Sequence, residues 1–283
     1  MSVPSPARKM RGASEMRTGR FGLVPARHQV LSLALLLVLL ASWEGGTRAF
    51  GVPEFMVPSP LAVARWLVAG FSEPLTSPAS LAYHLGVTLA EAAIGFVVGS
   101  VAGVVVGMAL AHWSAAERVL YPYIQAFNAL PKIAVAPLLV VWFGFGIEAK
   151  AVMAAILVFF PMLVNAMAGY HSVDPDLIEL ARSCNATGAQ IFHKVVLPSA
   201  LPFLFAGLHM ATILAVLGAI VGEFVGATAG LGMLLLQYNN TMQVTGVFAV
   251  LVVLGAVGYG LNVLMMHLER HFCFWARRRK NFG

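Results

Sequence analysis

Three ionisable residues, Glu91, Lys132 and Glu223, fall inside long apolar runs of the sequence. On insertion scales a charge at the centre of a bilayer costs roughly 2.5–3.5 kcal/mol, so each of these must be paired or must face a polar pathway. Glu91 lies about ten residues from one end of its run and Lys132 about fifteen from the opposite end of the next, which at about 1.5 Å per residue brings both near mid-depth. That placement suggests an intramembrane ion pair, or one of the two lining a translocation pathway. Glu223, near the end of its run, reads as a gate residue. The plainer alternatives are snorkelling of Lys132 past the break at Pro131 and interfacial exposure of Glu223. No catalytic set accompanies them. There is no Gly-x-x-x-x-Gly-Lys-Ser/Thr phosphate loop, no His/Cys/Asp/Glu group with metal-ligand spacing, and no Ser-His-Asp arrangement. His84, His112, His171, His193 and His267 stand mostly at the ends of apolar runs and read as satisfied or interfacial, whereas His209 falls within one and suits a contact between helices.

A second feature is the polar island from Asp174 to Pro198, whose charges exclude it from hydrocarbon. Asp174 followed by Pro175 is an N-cap with proline at the first helical position, and Asp176 and Glu179 put negative charge in the first turns. Leu177, Ile178, Ala181 and Cys184 recur at helical spacing and give this helix one apolar side. Asn185 then interrupts. Asparagine enters the left-handed conformation at modest cost, so it can end one helix before Thr187 to Val196 begins another.

The elements that must hold these residues are membrane spans. The sequence is 59% hydrophobic and 11% charged, with a net charge of +6, which describes a polytopic membrane protein of all-α class. Residues 1–27 read as a disordered basic tail, residues 28–270 as the membrane domain, and residues 271–283 as a second basic tail. Residues 28–45 form the first span; the basic stretch before it also resembles a signal peptide, but an uncleaved span keeps both basic termini on one side. Leu61 to Phe71 is a short interfacial helix in a proline-rich loop. Leu81 to Trp113 is the second span, with Gly95, Gly99, Gly103 and Gly107 on one face where another helix can approach closely. The third runs from Glu117 to Gly146, the fourth over 147–171, the fifth over 197–225 and the sixth over 243–268. With both termini inside, fourteen of the 18 Lys and Arg residues fall on the cytoplasmic side and three, Arg48, Arg65 and Lys150, outside. The charge is accounted for by membrane flanks and needs no nucleic acid. Cys184 and Cys273 both fall inside, which argues against a disulfide framework.

The polar island also carries a resemblance. Glu179, Ala181, Leu197 and Pro198 match the "EAA" loop of bacterial ATP-binding-cassette importer permeases, with Asn185 where the family has glycine and Val195 for its usual isoleucine. Beyond it, Pro131-Lys-Ile-Ala-Val-Ala-Pro137, Trp142-Phe-Gly-Phe-Gly146, Phe159-Phe-Pro161, Ser172-Val-Asp-Pro175, Val221-Gly-Glu-Phe-Val-Gly226 and Ala229-Gly-Leu-Gly232 resemble the branch serving nitrate, sulfonate, taurine and pyrimidine-precursor uptake. The resemblance implies six transmembrane helices in the type I importer permease fold, with a coupling helix in the 174–198 loop. It implies that Glu179, Leu180, Ala181, Asn185, Ala186, Thr187 and Gly188 contact a separate ATPase. Its expected partners are a second copy of the chain, two ATPase subunits and a periplasmic or lipid-anchored solute-binding protein at the inner membrane. ATP and magnesium would be used by the ATPase, and no cofactor would be bound by this chain. The alternatives are a secondary, ion-coupled transporter that works without an ATPase and a membrane-embedded enzyme.

Overall fold

The computed structural model describes residues 26–275, with side chains from Val30 onward. Most of the two expected tails, residues 1–25 and 276–283, lies outside the described residues. The chain divides into two compact units at Gly51–Val52. The first contains α1 (Ala26–Ala49), whose stretch Val30–Ala49 is long and apolar enough to cross a membrane and whose leucines are exposed on every face. Arg48 closes its last turn on Glu44 at 2.6 Å.

The second unit begins with α2 (Pro60–Ser72), started by Ser59, whose hydroxyl accepts the Ala62 amide, and by proline at the first helical position. Three long helices follow: α3 (Leu81–His112), α6 (Ile147–His171) and α9 (Leu197–Gly226). They pack mutually, with α6 against both of the others. The expected glycine ridge is the reason α3 and α6 come so close. A Cβ at Gly99 would stand 2.6 Å from the Ala155 carbonyl oxygen, one at Gly103 2.7 Å from that of Phe159, and one at Gly107 2.5 Å from that of Leu163. Glycine removes the side chain that would hold two backbones apart, and dispersion attraction across the narrow seam replaces the hydrophobic drive that lipid does not supply.

The same seams also fix directions. Gly95 meets Ala154 and Gly107 meets Ala166, so α3 and α6 run parallel, whereas Gly218 meets Ala154 and Gly169 meets Ala200, so α9 runs antiparallel to both. The segment from 113 to 146 must therefore return from one end of the bundle to the other. It does so as a broken span, α4 (Ser114–Ala129), a 3₁₀ turn (Lys132–Val135) and α5 (Ala136–Phe143), bent by 78°. The sequence suggested a single run here. Pro131 disfavours a helical Leu130, which is extended at φ −65°, ψ 142°, and supplies no amide of its own. Counting this pair once, the described residues offer six candidate spans.

At one end of the bundle lie α7 (Pro175–Ser183) and α8 (Gly188–Ile191), the latter running through a wider π turn at Phe192–Val196 into α9 just before Pro198. At the opposite end α10 (Leu231–Asn240) lies between α9 and α11 (Val244–Phe272). Helix α11 returns along α9: His209 meets Asn262 at 3.3 Å and Glu269 at 3.1 Å, the inter-helix contact its position in the sequence suggested. Near the α7 end, Phe205 stacks on Phe272.

Candidate functional site

The 174–198 loop is built by local chemistry. Asp174 accepts the Asp176 amide at 3.0 Å and caps α7. At the other end Asn185 stands at φ 56°, the Ala186 amide donates to the Ala181 carbonyl and the Asn185 amide to that of Arg182. This double bond pattern around a left-handed residue is the Schellman ending, usually reserved for glycine, so Asn185 supplies the turn. Thr187 and Gln190 then cap each other reciprocally, Thr187 Oγ1 accepting the Gln190 amide at 3.3 Å and Gln190 Oε1 the Thr187 amide at 2.9 Å. No residue of α7 is buried. Leu177 is 43% and Leu180 62% exposed, while Ala181 and Ala186 are half-buried and Glu179, Asn185, Thr187 and Gly188 exposed. The loop is a rigid, capped elbow that presents leucines without a cover. Next to it the ends of α3 and α6 and the start of α4 are joined through His112–Tyr170 and Glu117–His171, both at 2.9 Å.

The intramembrane residues are arranged otherwise than expected. Lys132 does not meet Glu91. Its ammonium turns back onto Asn128, donating to the backbone oxygen at 2.7 Å and to Oδ1 at 3.0 Å, and lies 4.9 Å from the centre of the Phe160 ring. The 78° break redirects the chain just before Lys132 and leaves it capping the open carbonyl end of α4. Glu91 on α3 and Glu223 on α9 are both buried, 3% and 1% exposed, out of reach of that ammonium. Lys150, counted on the outer side, does not face solvent there. It is 2% exposed in the first turn of α6, its Nζ donating to the Phe145 carbonyl and, at 2.9 Å, to that of Gly146.

Glu223 organises this end of the bundle. The first four amides of α10, counted from its cap Gly230, have no partner within the helix. Three side chains of α3 and α9 take them. Gly230 donates to His84 Nδ1 at 2.9 Å, Leu231 to Thr88 Oγ1 at 2.8 Å, and Gly232 and Met233 to Glu223 Oε2 at 2.5 and 3.4 Å. The Thr88 hydroxyl lies 2.7 Å from Glu223 Oε1 and 3.2 Å from the His84 carbonyl. His84 Nε2 faces the Pro78 carbonyl at 3.0 Å, so with Nδ1 accepting, the ring hydrogen belongs on Nε2. Gly230 stands at φ 119°, and any Cβ there would collide with the Glu223 carboxyl. A negative carboxylate at a helix N-terminus is favoured by the helix dipole as well as by these bonds. His84 and Thr88 were readable only as part of a face: with Glu91, Gly95 and Gly99 they recur at intervals of four, three, four and four residues.

A long-helix bundle with one capped loop at one end and a buried polar lock at the other defines a polytopic helical membrane protein of the transport type. Residues 95–272 match the family model described as "Binding-protein-dependent transport system inner membrane component", and the chain belongs to that family. It is 36% identical to the riboflavin transport system permease protein RibX of Chloroflexus aurantiacus over 240 residues, covering 85% of this chain and 88% of the relative. To the formylaminopyrimidine transport permease protein ThiX of Halalkalibacterium halodurans it is 33% identical, covering 86% and 94%. To the putative aliphatic sulfonates transport permease protein SsuC of Bacillus subtilis it is 31% identical, covering 86% of each. Among solved structures, one of the MetNI methionine ABC transporter in inward-facing conformations superposes with a TM-score of 0.59 at 25% identity, over 74% of this chain and 96% of that one. The chain is thus a multi-pass inner-membrane permease subunit of a binding-protein-dependent ABC importer.

Proposed function

We propose that this chain lines the passage for a small heterocyclic solute of the pyrimidine or flavin class, and that α7, Asn185 and α8 carry the stroke of a separate ATPase into the bundle. The observation behind the second half is the elbow itself, capped at both ends, with Leu177 and Leu180 uncovered. A partner surface that buries them recovers part of the about 1.5–3 kcal/mol that burying a whole leucine is worth. Glu179 and Ala181 stand on the same helix, with Thr187 and Gly188 opening the next. Because α8 runs through the π turn into α9, a displacement of the elbow moves a 39-residue helix as one lever. The engine would be two ATPase subunits using ATP and magnesium, and this chain itself would catalyse nothing. A second copy would complete the passage, an external binding protein would deliver the solute, and both termini would face the cytoplasm.

The heterocycle is favoured by the RibX and ThiX relatives and by the passage chemistry that remains once the carboxylates are accounted for. Glu91 and Glu223 are 3% and 1% exposed, so neither is available to a solute in this conformation. Lys132 is the charged group at the break, with two of its three donors already used by Asn128. The remaining donor and the neighbouring Phe160 ring suit a planar ring bearing carbonyl acceptors.

The test is reconstitution with the ATPase and binding protein that co-purify with the chain. ATP-dependent accumulation of a labelled pyrimidine or flavin, not competed by an alkyl sulfonate, is the expected result. Accumulation by the chain alone without nucleotide would establish the ion-coupled alternative, and preference for the sulfonate would overturn the solute class.

A further inference from the structure

Helix α4 buries none of its residues, and its polar side chains are not scattered. Glu117, Tyr121, Gln125 and Asn128 recur at intervals of four, four and three residues, and Lys132 follows four later. At about 100° per residue the first four fall within about 80° of the helix circumference, with Val119 and Ala126 across from them. Neighbours at this spacing touch. Gln125 Nε2 donates to the Tyr121 hydroxyl oxygen at 2.8 Å, and Lys132 Nζ to Asn128 Oδ1 at 3.0 Å. Ala116 and Ile124 rest on the bundle beside Leu110 and Leu163, while Tyr121, Gln125 and Asn128 stay exposed.

Two contacts fix the depth of this row. Glu117 meets His171, the last residue of α6, at 2.9 Å, and the Lys132 ammonium lies 4.9 Å from the centre of the Phe160 ring on the same helix. From residue 160 to residue 171 of α6 is about 16 Å at 1.5 Å per residue, roughly half of a hydrocarbon core about 30 Å thick. The row therefore begins at the end of the bundle that carries the α7–α8 elbow and reaches mid-membrane. Its hydrogen-bonding capacity is only partly used. An ammonium can only donate, so Lys132 engages the Asn128 oxygens and leaves both Nδ2 hydrogens without a partner, and Gln125 Oε1 likewise has none among the described residues. An uncovered amide in hydrocarbon costs several kcal/mol, so this face of α4 cannot be turned to lipid. A polar row that is unbroken from the aqueous end to mid-depth is what a wetted path into the membrane requires.

We propose that Tyr121, Gln125, Asn128 and Lys132 form the wall of the cytoplasmic half of the passage, a ladder of hydrogen-bonding stations that the solute follows from the break at Pro131 to the cytoplasm. Ring carbonyls accept from Asn128 Nδ2 and from the third Lys132 donor, a ring N–H donates to Gln125 Oε1, and the Phe160 and Tyr121 rings offer flat faces. Rungs three or four residues apart stand about 5–6 Å from each other, so a solute of one or two rings reaches the next rung before it leaves the last. That pairing rests on the heterocyclic solute proposed for the chain; the position of the wall does not.

Cysteine accessibility reads the wall without any solute. Tyr121→Cys, Gln125→Cys, Asn128→Cys, Val119→Cys and Ala126→Cys are made singly in a Cys184→Ser, Cys273→Ser background, and each chain is purified with its ATPase and placed in lipid nanodiscs. A charged methanethiosulfonate attacks the thiolate, which forms only where water reaches, so the three ladder positions should react at least about tenfold faster than Val119→Cys and Ala126→Cys. Equal rates on the two faces, or slow reaction at every rung because lipid or a second copy covers them, would overturn the wall. Riboflavin, an aminopyrimidine and an alkanesulfonate are then added in turn. Slower reaction at Gln125→Cys and Asn128→Cys with either heterocycle supports the ladder as the surface that the solute touches. Protection by the sulfonate alone would keep the ladder and overturn the heterocyclic solute. No protection by a solute that the same complex accumulates would show that the solute passes elsewhere, and the ladder would fail.

Discussion

Asn185 shows what a single residue can do for a chain of this kind. At φ 56° it carries the turn between α7 and α8, and its short polar side chain lowers the cost of that conformation. Asn185→Gly should keep the elbow and leave uptake unchanged or slightly improved. Asn185→Val places a β-branched side chain in the left-handed region at a cost of about 1–2 kcal/mol or more, so the elbow unwinds. The expected result is loss of solute-stimulated ATPase activity while the chain still inserts and assembles, measured on the purified complex. Equal coupling in the glycine and valine variants would show that the turn transmits nothing. At this scale the sequence was legible wherever the controlling interaction is local: Asp174, Asn185 and Thr187 act within a few residues of themselves. It was not legible for Lys132 and Glu91. Depth along a helix can be counted from sequence, but the direction a side chain faces after a proline break cannot. The burial of Lys150 was hidden for a related reason, since a lysine in the first turn of a helix looks solvated until its stem folds back onto the carbonyls of Phe145 and Gly146.

Among the elements, the α3–α6 seam is set by glycine spacing, and its geometry makes an uneven demand along one helix. Gly99 faces the Ala155 carbonyl, whereas nothing lies within 4 Å of a Cβ added at Gly86 on the same helix. Gly99→Val should therefore force the two backbones apart and cost about 1–3 kcal/mol or more, seen as early thermal aggregation in detergent. Gly86→Ala should be neutral or stabilising by up to about 1 kcal/mol through the smaller entropy of the unfolded chain and better helix propensity. Matching melts for the two would mean the helices do not touch along this ridge. The ridge was readable as a four-residue repeat, and the direction of α6 relative to α3 follows once the ridge meets its partner. The lock at α10 was less readable. Its donors are backbone amides, which leave no mark in a sequence, and its acceptors His84, Thr88 and Glu223 come from two helices about 140 residues apart.

For the whole molecule, the geometry puts the α7–α8 elbow and the end of α11 at the same end of the bundle, because both lie beside the N-terminal part of α9. Each carries one of the two cysteines, and they differ in reactivity. Cys184 is exposed in the elbow. Cys273 is buried, and its thiol is pushed up by burial and then by the Glu269 carboxylate, so less of it is the reactive thiolate at neutral pH. The native chain therefore offers a single fast thiol on the face that the ATPase would engage. A membrane-impermeant maleimide at neutral pH should label it rapidly in inside-out vesicles and hardly at all in sealed right-side-out ones. Cys184→Ser should abolish the fast phase. The slow remainder, from Cys273, should accelerate as the pH is raised and its thiolate fraction grows. Prior binding of the ATPase should protect Cys184, since the elbow would then be covered. Rapid labelling from the outside would place α7 and α8 beyond reach of any cytoplasmic engine, and the importer would have to be driven through some other part of the chain.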